Sequence, residues 1–154
     1  MLLPLFQWFE KSPIAAIGRS TLLAPLVEVL HLLGLTMLIG AIVVVSLRLF
    51  GLVMTRRPVS EVAGELWSWT VLALITQLMS GLTLFATDSV RWYSSGPFWV
   101  KMTFLFLAIL FHFTIYRKVT RRDDLGPLVY RATGALALTL WFGVGVGGRA
   151  LTTL

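Results

Sequence analysis

Four long stretches of the chain are almost uninterruptedly apolar, and short polar segments separate them. They run from about Pro25 to Val53, Val62 to Thr87, Phe98 to Val119 and Leu128 to Leu151. A membrane-crossing helix needs about 20 mostly apolar residues, and apolar runs under about 14 usually mean something else. All four stretches qualify, and Leu66–Thr87 and Ala132–Gly148 carry no charge at all. The connections MTRRPVSE, DSVRWYSSGP and TRRDDLGP are short, and Gly and Pro punctuate the last two as turn chemistry predicts. The pattern predicts an all-α, up-down four-helix bundle in the membrane over 21–154, with no room for a soluble domain.

Residues 1–20 differ. Leu2, Leu5, Phe6 and Phe9 share one helical face, with Gln7, Glu10 and Lys11 elsewhere. No cation precedes this apolar stretch, which is the wrong order for a secretory signal. An amphipathic interfacial helix fits, and Ser12-Pro13 reads as the cap and first position of a second short helix.

Composition sharpens this picture. Of 154 residues, 57% are hydrophobic and 13% charged, about half the charged share of a soluble domain. Mean hydropathy is +0.86. A disulfide scaffold is excluded by the absence of cysteine. The net charge of +6 would suggest nucleic acid in a soluble protein, but here the cations separate apolar runs, as membrane proteins arrange them. Arg48, Arg56, Arg57, Arg117, Lys118, Arg121, Arg122 and Arg131 flank the first and third connections; Lys11, Arg19, Arg91, Lys101 and Arg149 lie at the other end. That bias places the first and third connections in the cytoplasm of a bacterial inner membrane and both termini outside. Trp92, Tyr93 and Trp99 then form the outer aromatic belt, and Trp67, Trp69, Tyr116 and Tyr130 the inner one.

The two histidines, His31 and His112, both fall inside predicted spans. An imidazole in hydrocarbon is costly without a partner, which makes it a functional candidate. The two lie on the first and third helices, at depths expected to differ by roughly one or two turns. In a four-helix bundle those helices are diagonal, about 11–14 Å apart, which suits two imidazoles gripping one iron. A single b-type haem between His31 and His112 is therefore expected, without the Cys-x-x-Cys-His of covalent attachment. Gly34 and Ala108 lie one turn from the two histidines, leaving room for a flat ligand. Small or polar stripes at Ala73, Gln77, Ser80 and Gly81, and at Gly134, Ala137, Gly145 and Gly148, point the same way, although plain helix packing uses such stripes too. Lys101, Arg91, Arg149 and Arg19 are the cations placed to neutralise haem propionates; taken singly, each is equally an interfacial snorkelling side chain. The bland alternative has each histidine hydrogen-bonded to a neighbouring helix through Ser, Thr, Gln or Glu, or His31 fixed by Glu28 one turn earlier.

Pro25-x-x-Glu28-x-x-His31-x-x-Gly34, followed by Arg48-Leu49-Phe50-Gly51, resembles the first helix of a large set of short bacterial four-helix membrane proteins. More broadly the chain is similar to the bacterial four-helix protoporphyrinogen oxidase and to copper-resistance D-type membrane proteins. The stretch Phe98-Trp99-Val100-Lys101 through His112, closing on Arg117-Lys118, carries the likeness into the third helix. The resemblance implies a b-haem between helices one and three at His31 and His112.

Other chemistry has less in the sequence. Met37, Met79 and Met102 offer thioethers for copper, but Met37 lies on roughly the opposite face from His31 and no Met-x-x-Met occurs. No serine has a plausible histidine–carboxylate partner. Asp123-Asp124 read as a solvated turn, and Arg48 as a snorkelling side chain with a quinone or partner contact as the alternative. Gly143–Gly148 follows no strand and lacks the Lys-Ser/Thr of a phosphate loop. The sequence points to a membrane cytochrome b transferring electrons within the bilayer, with a quinone or redox protein as partner and assembly as a homo-oligomer or complex subunit. The alternatives are a haem-dependent oxidoreductase of a porphyrin-like or lipid-soluble substrate, a copper-handling protein, and a cofactor-free structural subunit.

Overall fold

The computed structural model describes residues 2–152, with side chains through Arg149. Among these residues the chain is helical and contains no strand. Two short helices come first, α1 (Leu3–Glu10) and α2 (Pro13–Arg19). Ser12, extended between them, closes α1 through its Oγ on the Phe9 carbonyl (2.6 Å), and Pro13 opens α2 as expected.

The long helices α3 (Leu23–Leu49) and α4 (Val59–Thr87) follow, then the short α5 (Ser89–Tyr93). The third long helix is α6 (Gly96–Phe111), continued by a π-helical turn (His112–Tyr116) and α7 (Arg117–Thr120); α8 (Pro127–Thr152) is the last. All four are long and apolar enough to cross a membrane. Their limits fall near those predicted, with one informative difference. The first apolar run continues to Val53, yet α3 stops at Leu49. Gly51 adopts φ +76°, its N–H reaches the Arg48 carbonyl (2.9 Å), and the Leu52 N–H reaches that of Leu47 (3.0 Å). This is a complete Schellman stop, which ends a helix whatever the hydropathy beyond it. The end of the fourth predicted span, 150–151, lies outside the residues whose side chains are described.

Close packing sets the arrangement. Gly34 of α3 meets α4 so closely that an added Cβ would sit 3.3 Å from the Ala73 carbonyl. Gly134 of α8 meets Ser46 and Phe50 at the end of α3, and Gly143 and Gly147 of α8 meet Phe104 and Lys101 of α6. Of the predicted glycine stripe on this helix, Gly145 has open space instead. The backbone of α3 thus packs on α4 and α8, and α8 on α6. α4 meets α7 near the arginine-rich end, while toward the other end α4 and α6 part around a cavity. Leu26, Leu30, Leu33, Leu72, Ile75, Phe106 and Leu110 stay exposed on the outward faces.

α1 does more than lie alongside. Phe6 is buried, its ring edge-on to Phe85 (5.2 Å), Tyr93 (5.1 Å) and Phe98 (6.3 Å), and Ser89 Oγ donates to the Phe6 carbonyl (2.6 Å). Leu2 and Leu5, from the same predicted face, remain exposed. α1 therefore closes over the ends of α4 and α6, where Phe85 and Phe98 stack on each other (5.5 Å, 16°).

Candidate functional site

The cavity between α4 and α6 has a volume of about 520 Å³. Its walls are apolar, built from Leu78, Leu82 and Phe85 of α4 and Phe98, Met102 and Leu105 of α6, with Phe6 and Phe9 of α1 above and Val144 of α8 behind. Three polar residues reach it: His31, Gln77 and Lys101.

His31 is half-buried and held on both ring nitrogens. Nδ1 lies 2.9 Å from Ser80 Oγ and Nε2 lies 2.9 Å from Gln77 Nε2. Ser80 Oγ in turn donates to the Thr76 carbonyl (2.5 Å), so it accepts from His31. A neutral ring with its proton on Nδ1 satisfies every one of these contacts: Nδ1–H donates to Ser80, and Nε2 accepts from the Gln77 amide. Gln77 Oε1 is buried without a partner. Gly81 makes room for the ring, since a Cβ there would stand 3.1 Å from His31 Cε1. Gln77 and Ser80 of the neighbouring helix, both in the predicted stripe, thus fix His31, whereas Glu28 is exposed and makes no contact with it.

Lys101 is partly buried in the cavity wall, and no carboxylate pairs with it among the described residues. Its stem passes Gly147, where a Cβ would stand 3.0 Å from Lys101 Cβ. The other cations expected beside it do not line the cavity. Arg91 is exposed with its guanidinium 5.5 Å from the Trp92 ring centroid. Arg149 occupies the last turn of α8, and Arg19 donates to the Thr87 carbonyl (2.7 Å) beside Glu10. Gly34 serves the α3–α4 contact and leaves no slot for a ligand.

His112 stands elsewhere. It is 2% exposed, stacked on Tyr116 (centroids 4.7 Å, 22°) and Trp67 (5.6 Å, 5°), and edge-on to Trp141 (6.0 Å). Tyr116 is thus buried inside the protein, whereas Trp67 is half-buried, with the Arg117 guanidinium 4.0 Å from its ring centroid. α4 serves as a ruler between the histidines, because His31 bonds at Gln77 and Ser80 and His112 stacks at Trp67. Those positions are about 15–20 Å apart along one helix. Two imidazoles on one iron need their backbones about 11–14 Å apart in total, and aromatic side chains occupy the space around His112. A single haem gripped by both histidines does not fit this structure. A flat ring held from one side by His31 does, because Ser80 already fixes the outer ring nitrogen as it would for a metal-bound histidine.

The remaining candidates are dispersed. Met102 lines the cavity, whereas Met37 and Met79 are exposed and do not. Among the described residues no three His, Cys, Asp or Glu side chains gather as a metal site. The α1 contribution escaped sequence reasoning, although the aromatic spacing Phe6–Phe9 was its one available signal.

A family model matches residues 5–153, nearly the whole chain. The chain belongs to DUF6644, a family of unknown function. This agrees with a likeness to poorly characterised proteins. No curated protein and no solved structure matches the chain.

Proposed function

We propose that this DUF6644 protein is a multi-pass protein of the bacterial inner membrane that holds one flat, lipid-soluble redox ring, a b-haem, in the cavity between α4 and α6. His31 is its single protein ligand, and Lys101 faces its acidic groups. The observation that carries the reading is the polar content of the cavity: one imidazole held on both nitrogens and one ammonium with no carboxylate partner among the described residues, set in an apolar wall. An uncompensated cation in such a setting favours an anionic partner. The resemblance to the four-helix protoporphyrinogen oxidase and copper-resistance D-type proteins points to the same ligand class. Apolar outward faces and the excess of arginine beside the first and third connections support four crossings with both termini outside. Bound haem would supply a one-electron couple; the protein supplies ligation, burial and charge compensation. Binding iron requires Nε2 to exchange the Gln77 amide for the metal. A redox protein or a second copy of this chain completes the electron route.

The second reading is a quinone in the same cavity. Gln77 and His31 are already engaged as a hydrogen-bonding pair, which suits a ring carbonyl without any exchange. The two separate in one preparation of the full-length protein in mild detergent. Haem predicts a Soret band in the reduced protein with a five-coordinate, high-spin signature, lost in His31→Ala and retained in His112→Ala. Loss in both variants with a low-spin spectrum would restore two-histidine ligation. Colourless protein whose organic extract contains quinone would establish the second reading, and colourless protein with neither would end both.

A further inference from the structure

The cavity does not use His112, whose surroundings pose a separate question. His112, Tyr116 and Trp141 are each buried to 4% exposure or less. His112 Nδ1 and Nε2, Tyr116 Oη and Trp141 Nε1 have no hydrogen-bond partner among the described residues. Four such atoms around one ring are unusual, because buried polar groups are almost always satisfied. They cannot readily satisfy one another. The near-parallel stacking of His112 on Tyr116 brings ring faces together, whereas imidazole lone pairs and N–H bonds lie in the ring plane. His112 also opens the π-helical turn, a rare local geometry that is frequent at functional sites.

The inventory defines what would fit. A neutral imidazole offers one donor and one acceptor, the phenol one donor and two lone pairs, and the indole one donor. A partner must both donate and accept and must be small and uncharged. Carboxylates and cations fail this test, and water passes it. We propose that His112, Tyr116 and Trp141 form a second site that binds water inside the apolar core, accepting from Trp141 and donating to the free imidazole nitrogen. Buried waters of this kind typically make about three hydrogen bonds to otherwise unsatisfied groups. The site makes His112 a proton-exchanging group, independent of whatever occupies the cavity.

The test uses the full-length protein with ¹⁵N-labelled histidine in lipid nanodiscs. Having two histidines, it gives two sets of ring signals, which His112→Phe assigns. Wild type is expected to show one donor and one acceptor nitrogen for His112, the acceptor hydrogen-bonded, with magnetisation transfer from water to the ring. Trp141→Phe and Tyr116→Phe should weaken that transfer while leaving the His31 signals in place. A His112 ring with shifts of an unbonded imidazole and no transfer from water in wild type would overturn the proposal, and His31→Ala supplies the same assignment by elimination should His112→Phe fail to fold.

Discussion

Ser80 has one hydroxyl and two tasks, accepting from His31 Nδ1 and donating to the Thr76 carbonyl. Removing it leaves the ring free to swap tautomers and to rotate, so His31 no longer presents a fixed lone pair. Loss of such a supporting partner typically lowers metal affinity about 10–100-fold. Ser80→Ala is accordingly expected to weaken haem binding by that order in a titration of apoprotein, while helix content stays unchanged. Gly81 tests the same ring sterically. A Cβ 3.1 Å from His31 Cε1 forces the imidazole to give by a few tenths of an ångström, and a larger side chain displaces it. Gly81→Leu should abolish the Soret band. Gly40→Ala is the control, because nothing stands within 4 Å of its Cβ. That change should leave the spectrum intact and raise stability by about 0.5–1 kcal/mol through helix propensity, read by thermal denaturation.

Helix ends are where local chemistry shows most clearly at the scale of elements. The first free N–H groups of α4 need acceptors, and Asp123, from the connection before α8, provides one: its Oδ1 accepts from the Ser60 N–H (3.0 Å) and its Oδ2 from the Ser60 hydroxyl. Those two bonds hold the Asp123 carboxyl below its ordinary range. A carboxyl whose folded value is depressed contributes stability that is present above the unfolded value, near 4, and lost as pH falls through the folded one. The Ser60 amide resonance should therefore move on acidification below about pH 4, and Asp123→Asn should remove that titration. The sequence reading treated Asp123 as a solvated turn, since a cap supplied from 63 residues away leaves no local pattern. The four long helices were legible because hydropathy and length alone specify them. The stop at Leu49 was legible only through Gly51, and the π-helical turn not at all, because His112–Tyr116 has no helix-breaking residue. Of the residues singled out in the sequence, His31, Lys101 and Gln77 line one cavity, and Ser80 bonds to His31 beside it. Pairing His31 with His112 failed because helix-end errors of a few residues hide a displacement of about three turns.

Seen whole, the bundle is open at one end and closed at the other. Small residues at Gly34, Gly134, Gly143 and Gly147 draw α3, α4, α6 and α8 together in pairs, yet no comparable contact joins α4 to α6 beside His31. Beyond the cavity Phe85 of α4 stacks on Phe98 of α6 (centroids 5.5 Å, 16°), and α1 covers that contact with Phe6 and Phe9. Phe6 is edge-on to Phe85 of α4 and to Phe98 of α6, which places one side chain across both walls of the cavity. Truncating a buried Phe costs about 3–5 kcal/mol where the site cannot collapse. Here the loss should fall mainly on α1, which keeps the Ser89 bond to the residue-6 backbone carbonyl, the Phe9 ring on Phe85 and the Glu10–Arg19 pair. Phe6→Ala is therefore expected to leave the four long helices folded and the spectrum of bound haem unchanged, because His31, Ser80 and Lys101 are untouched. What should change is the barrier to leaving. Transfer of haem from the variant to an excess of a soluble acceptor protein should accelerate at least about tenfold, the rate equivalent of 1.4 kcal/mol. Equal transfer rates in the two proteins would mean that α1 covers the cavity without controlling it, and that ligand exchange runs sideways between α4 and α6.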